Sequence, residues 1–218
     1  MRADMGQTAV SLSLKRHRSM FVEPVMPGQR SGWIEVICGP MFSGKTEELI
    51  RRVRRAQIAG QRVLICKPKR DTRYSESEVV SHDRKAVEGI AVADAREILK
   101  HSEPVQVVAI DEVQFFDYEI VEVCQHLALK GKRVIVAGLD MDYRARPFGP
   151  VPYLLAVAEY ITKLHAICKH CGALATHSYR LTDEREDIVL GAEERYEPRC
   201  RICYHMGNIL DFGKREEK

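Results

Sequence analysis

From Trp33 onward the chain alternates unbroken apolar runs with segments whose apolar residues recur at helical spacing. Trp33-Ile34-Glu35-Val36-Ile37-Cys38 predicts a strand. Thr46 to Ala59 predicts a helix, because Leu49, Ile50, Val53 and Ala56 share one face and Gly60 stands where a C-terminal cap belongs. Arg62 to Lys67 contains Val63-Leu64-Ile65-Cys66, a buried strand stopped by Pro68. Lys69 to Ser81, rich in charge and serine, predicts a loop. Asp94-Ala95-Arg96-Glu97 has the form of a capping box opening a short helix through Leu99. Val105 to Ile110 predicts a strand, Tyr118 to Lys130 a helix closed by Gly131, and Val134 to Gly138 another strand. Val151 to Glu159 predicts a helix and Ile161 to Ile167 a last strand. Continuous β-branched runs are what parallel strands buried on both faces require. Their alternation with helices predicts a doubly wound α/β domain over residues 32–167.

The first 31 residues break the pattern. They hold four of the seven methionines and a basic cluster, Lys15-Arg16-His17-Arg18. The mildly apolar Ala9 to Leu14 stretch precedes those charges and is too short for a secretory signal. A mobile leader is the expected reading, ahead of a nucleic-acid arm or a transit peptide, and Met20 is an alternative start. Across the 218 residues no run of 18 apolar positions occurs, so no transmembrane helix is expected. Lys plus Arg number 34 against 31 Asp plus Glu, and this near balance argues against a nucleic-acid polymer as partner.

Gly39-Pro40-Met41-Phe42-Ser43-Gly44-Lys45-Thr46 matches G-x-x-x-x-G-K-[ST] between a predicted strand and a predicted helix, the context this motif needs. Its backbone N–H groups and the helix N-terminus suit phosphate oxygens. Lys45 would neutralise the β- and γ-phosphates and the Thr46 hydroxyl would ligate Mg²⁺. Val107-Val108-Ala109-Ile110 runs into Asp111-Glu112, so Asp111 becomes the second candidate for Mg²⁺. A carboxylate at Glu112 serves equally to activate water, giving an ATPase, or to take a proton from a substrate hydroxyl, giving a kinase. Gln114-Phe115-Phe116 follows, with one ring expected in the core and one available to stack a nucleobase.

Seven cysteines cannot all pair, which argues against a secreted disulfide framework. Four form two C-x-x-C pairs, Cys168/Cys171 and Cys200/Cys203, separated by 28 residues. Four thiolates so arranged suit a structural Zn²⁺, with no open position for substrate. The charged insert Gly172 to Arg199 then becomes a loop clamped at its base and able to fold over a ligand. Cys38, Cys66 and Cys124 fall on predicted strands or a helix and read as buried and reduced, in keeping with a cytoplasmic protein.

Taken together, the phosphate loop, Asp71-Thr72-Arg73-Tyr74, Ser81-His82-Asp83, Asp111 to Phe116, Gly138-Leu139-Asp140, Arg146-Pro147-Phe148-Gly149 and the two cysteine pairs resemble the type II thymidine kinases over residues 32–212. The resemblance implies a P-loop NTPase-type α/β domain over residues 32–167, a small zinc-binding lasso domain over 168–212 that closes over the nucleoside, and a charged tail over 213–218. It implies transfer of phosphate from ATP, with Mg²⁺, to the 5′-hydroxyl of thymidine, and also of deoxyuridine. Glu112 matches the family's general base, Asp111 its magnesium-associated carboxylate, and Arg73 an arginine near the phosphates. Gln114 joins the phosphate loop and Asp111 among the implied nucleotide-binding residues. Met41, Phe115, Leu139, Tyr143 and Phe148 match thymidine-pocket positions, as do Val189, Gly191 and Tyr196 of the lasso. Tyr143 stands where many relatives carry Phe. A homotetramer, feedback inhibition by thymidine triphosphate, and a bacterial-type member without the long regulatory tail of animal relatives are further implications. The runner-up readings, a nucleic-acid-stimulated ATPase and a non-catalytic nucleotide sensor, fit less well. The first would need a basic groove, while the charge balance is nearly even, and the second leaves Lys45, Thr46, Asp111 and Glu112 unexplained.

Overall fold

The computed structural model describes residues 32–69, 78–80, 86–182 and 195–207. The elements run β1 (Trp33–Cys38), α1 (Lys45–Ile58), β2 (Val63–Pro68), β3 (Glu78–Val80), β4 (Ala86–Glu88), β5 (Ile90–Val92), α2 (Ala95–Ser102) and β6 (Val107–Ile110). A 3-10 turn (Val113–Phe115) leads into α3 (Glu119–Leu129), β7 (Arg133–Gly138), α4 (Val151–Val157) and β8 (Tyr160–Lys163). Four short strands complete the order: β9 (Ala166–Ile167), β10 (Leu174–Ala175), β11 (His177–Arg180) and β12 (Tyr196–Arg199). Residues 201–207 are helical.

The six-stranded sheet has the order β5-β2-β6-β7-β1-β8 and every pairing in it is parallel. Alternate residues of each central strand serve opposite faces. Ile34, Val36, Val108, Ile110, Val134 and Val136 pack with Ile98, Ile120, Leu127 and Leu154 from α2, α3 and α4. Ile37, Val107, Ala109, Ile135 and Ala137 pack with Leu49, Val53 and Ala56 of α1. Each such fully buried aliphatic side chain contributes about 1.5–3 kcal/mol. The expected α/β architecture with a parallel sheet is therefore present, with helices on both faces.

Helix ends follow the sequence signals. Asp94 accepts from the Glu97 N–H at 2.9 Å, while Glu97 reaches back to the Ala93 N–H at 2.6 Å, one residue beyond the simple capping box. Gly60 and Gly131 take positive φ just after α1 and α3.

Three expectations are corrected. Ile161 to Ile167 is two strands: β8 pairs with β1, the Leu164 N–H still reaches the Cys38 carbonyl at 2.8 Å, and Ala166 then pairs with Ala175 of β10. The partner changes where β1 ends and the phosphate loop begins, so one strand cannot serve both. The helix read to Glu159 stops at Val157, because Ala158 is extended and the Glu159 carboxylate accepts from the Ile34 N–H at 2.7 Å. The stretch read as loop from Lys69 to Ser81 includes β3, which pairs antiparallel with β4, and β5 adds an edge strand to the main sheet. Among the described residues no helix is long and apolar enough to cross a membrane.

Candidate active site

The carboxyl ends of β1, β6 and β7 lie side by side, with Ile37 opposite Ala137 and Ile110 opposite Val136. Ligands of open α/β sheets bind at such ends. The phosphate-loop segment leaves β1, Asp111-Glu112 leaves β6 and Leu139 leaves β7.

Gly39 to Thr46 forms a tight loop. At Gly39 φ is 144°, and a Cβ there would sit 2.3 Å from the Leu164 carbonyl oxygen, so only glycine fits. The Ser43 hydroxyl and the Lys45 ammonium both donate to the Pro40 carbonyl across the loop, at 2.8 and 2.7 Å. Thr46 Oγ1 donates to Asp111 Oδ2 at 3.0 Å, so the two candidate Mg²⁺ ligands meet although 65 residues apart. Asp111 Oδ1 accepts from the Glu112 N–H at 2.9 Å. Burial, then the adjacent Glu112 carboxylate, push the Asp111 carboxyl up to about 7; the hydrogen bonds from Thr46 and from the Glu112 N–H, and the Lys45 charge, pull the other way. A buried carboxylate so disfavoured is chemically suited to a divalent cation, and the Thr46 hydroxyl beside it is a second hard oxygen donor.

Glu112 sits at φ 52°, left-handed for a non-glycine residue, and this turns the chain sharply out of β6 into the 3-10 turn. Its carboxylate accepts from the Gln114 amide, whose oxygen in turn accepts from the Leu139 N–H at 3.0 Å. Phe115 and Phe148 meet edge to face, centroids 5.9 Å apart. Phe116 is the core ring. Glu112, Gln114, Phe115, Leu139 and Phe148 thus form one wall.

A second group gathers on β11 and β12. Ser178 and Arg180 alternate on one face of β11. Ser178 Oγ accepts from the Met41 N–H at 3.0 Å. The Arg180 guanidinium lies 3.5 Å from the Tyr143 ring centroid and donates to the Tyr196 hydroxyl at 2.9 and 3.2 Å. Neither Ser178 nor Arg180 is among the residues the sequence singles out, and the four-residue strand His177-Ser178-Tyr179-Arg180 carries no local pattern that marks them. Arg73, Val189 and Gly191 lie outside the described residues.

The four paired cysteines converge: their sulfurs all lie within 4.8 Å of one another, and Cys171 and Cys200 are 3.6 Å apart. That is far beyond a disulfide bond of about 2.05 Å. It matches the edge of about 3.8 Å in a tetrahedron with Zn–S of about 2.3 Å. Burial raises the Cys168 thiol, but backbone N–H groups of Cys200, Cys171 and His170 outweigh it and bring it down to about 6. Cys203 is pushed up to about 12, first by its hydrogen bonds with Cys200 and Cys171. Four thiols this close cannot all ionise without a cation among them, so the donor set fits a closed structural metal site. Cys38, Cys66 and Cys124 are free and buried, and burial pushes their thiols up to about 11, 12 and 12. The cysteine module is tied to the sheet's ligand end: Phe42 packs on Ala166, Cys168 and Ala175, and the Tyr204 hydroxyl donates to the Tyr143 carbonyl at 2.6 Å.

The family model described as thymidine kinase matches residues 32–204. A thymidine kinase of Rhodothermus sp. (strain ITI 518) is 62% identical over 187 residues, covering 85% of this chain and 88% of that protein. The solved structure of a DNA replication initiation factor aligns with 62% of this chain and 41% of its own, at 14% identity and a TM-score of 0.37, too slight a likeness to bear on function. Matching over most of its length a family model and a close relative, the chain belongs to the thymidine kinase family of enzymes.

Proposed function

We propose that this enzyme transfers the γ-phosphate of ATP to the 5′-hydroxyl of thymidine, and also of deoxyuridine, in deoxynucleotide salvage in the cytoplasm. One observation carries the reading. Thr46 of the phosphate loop is bonded to Asp111, and the next residue, Glu112, is bonded through Gln114 to the wall that bears Phe115, Leu139 and Phe148. A phosphate cradle and an apolar, aromatic wall thus meet at one carboxylate.

In this mechanism the backbone of Gly39 to Thr46 and the Lys45 ammonium hold the β- and γ-phosphates. Thr46 and Asp111 would hold Mg²⁺, which would supply charge neutralisation at the phosphates. Glu112 accepts the proton of the 5′-hydroxyl as its oxygen bonds to the γ-phosphorus. The bond from that phosphorus to the β,γ-bridging oxygen breaks, and ADP leaves. By the family resemblance, Arg73 would act on the phosphates. Phe115, Leu139, Tyr143 and Phe148 enclose the base and sugar. Met41 lines the same pocket. By the family resemblance, Val189, Gly191 and Tyr196 would contact the nucleoside from the lasso, whose base Cys168, Cys171, Cys200 and Cys203 would clamp around Zn²⁺. Thymidine triphosphate, which joins the base to a triphosphate, suits both halves of the site as a feedback inhibitor. A homotetramer is the assembly the family resemblance suggests.

The test is product analysis with Mg-ATP and thymidine, deoxyuridine, deoxycytidine or single-stranded DNA. Thymidine monophosphate, with deoxyuridine monophosphate next, is the expected yield. ATP hydrolysis stimulated only by DNA would sink the proposal.

A further inference from the structure

We infer that Gln114 is a positioning residue that aims Glu112 at the nucleoside, and that it does not bind the nucleotide. The inference rests on the kinase reading above but reassigns one residue within it. Gln114 is buried, and both ends of its amide have protein partners. The nitrogen donates to Glu112 Oε2, and the oxygen accepts from the Leu139 N–H at 3.0 Å. An amide bound at both ends in this way is oriented unambiguously, because only the nitrogen donates and only the oxygen accepts.

The surrounding backbone is shaped to this side chain. Gly138, the last residue of β7, has no room for a Cβ, which would fall 2.7 Å from Gln114 Oε1 and 2.7 Å from Val113 Cγ1. At Gly149 a Cβ would fall 2.6 Å from the Gln114 carbonyl oxygen. Two glycines from the β7 end and the following loop therefore close on one glutamine. The purpose of the bridge follows from where Glu112 lies. It leaves β6 on a left-handed residue and carries a flexible side chain, so backbone geometry alone does not fix its carboxylate. Gln114 fixes it against Leu139, a residue of the proposed thymidine wall. Base and pocket wall then keep one spacing, which in-line transfer needs, since misplacement of a reacting group by about 1 Å costs about 10²-fold in rate.

The experiment is steady-state kinetics of Gln114→Leu, Gly138→Ala and Gln114→Glu with thymidine and Mg-ATP. Gln114→Leu removes both hydrogen bonds at similar volume and should lower kcat by about 10–100-fold with the KM for ATP within about twofold. Gly138→Ala should produce the same split, because its new methyl group displaces the Gln114 amide. A KM for ATP raised about tenfold with kcat retained would instead make Gln114 a nucleotide contact and overturn the inference. Unchanged kinetics with only a lowered Tm would overturn it too, by making the bridge merely structural. Gln114→Glu is nearly isosteric and decides the matter if the other variants fold poorly. Its introduced carboxyl can donate to Glu112 only when protonated and repels it when ionised. The kcat profile should therefore gain a fall toward high pH that the parent lacks, and an unaltered profile overturns the inference. The underlying kinase reading fails differently, through absence of thymidine monophosphate from the parent enzyme.

Discussion

Glu35, within β1, and Asp111, just past the carboxyl end of β6, are both buried carboxylates, and their surroundings could hardly differ more. Glu35, in β1 on the α1 face, accepts from Arg133 Nε at 2.6 Å, from Arg52 Nη1 at 2.7 Å and from the Trp33 indole at 2.7 Å. Arg52 extends the network to Glu48 and to the Thr162 hydroxyl, both at 2.8 Å. Two guanidinium groups thus join β1, β7, β8 and α1 around one carboxylate. Asp111 has a hydroxyl, an amide N–H and a neighbouring carboxylate instead, and the Lys45 charge offsets its burial only in part. The first site is electrostatically complete within the chain and holds the fold. The second leaves its charge to be completed from outside, which is what a site for metal and phosphate needs.

The largest effect is expected at the open end: Glu112→Gln should lower kcat by about 10²–10⁴-fold with Tm nearly unchanged, measured by turnover at saturating substrates and a thermal melt. Glu35→Ala should do the reverse. It removes the carboxylate that two buried guanidinium groups share and should cost about 3–5 kcal/mol of stability, read by denaturant unfolding, with KM values retained in the surviving folded fraction.

Asp111→Asn separates charge from shape. A carboxyl held at about 7 in the fold, against 3.8 for a free aspartate side chain, binds its proton more tightly folded than unfolded. Its contribution to stability is complete below about pH 4 and is lost as pH rises through about 7. The metal-free Asn variant should therefore melt several degrees above the parent at pH 8, at about 2–4 °C per kcal/mol for a chain of this size. The gain should vanish toward pH 4, and the variant should lose its Mg²⁺-dependent turnover. A smaller effect belongs to the cysteine module. A chelator that strips the proposed Zn²⁺ from the four cysteines should raise the KM for thymidine more than that for ATP, and an equal loss of both would indicate general unfolding.

The same contrast explains what could be read from the sequence. The central strands were legible because parallel strands buried on both faces need unbroken apolar runs, as in Val107 to Ile110 and Val134 to Gly138. The phosphate loop and the cysteine pairs were legible because their chemistry fixes local spacing. The Glu35 network was not, since Arg52 lies 17 residues away and Arg133 98 away, and a glutamate inside an apolar strand has no local pattern. The β3, β4 and β5 strands are three residues each, too short to show a period. Phe115 and Phe116 illustrate the limit at the site itself. The pair was visible, but only the turn after Glu112 decides which ring enters the core.

The residue pattern around Glu112 suits activation of either water or a hydroxyl, so the account stands on which of them receives the phosphate. The direct measurement is the ratio of thymidine monophosphate to ADP formed by the enzyme with Mg-ATP and excess thymidine. One nucleotide product per ADP is predicted, with ADP formation falling sharply when thymidine is omitted. ADP accumulating at the same rate without thymidine, and no monophosphate, would contradict it.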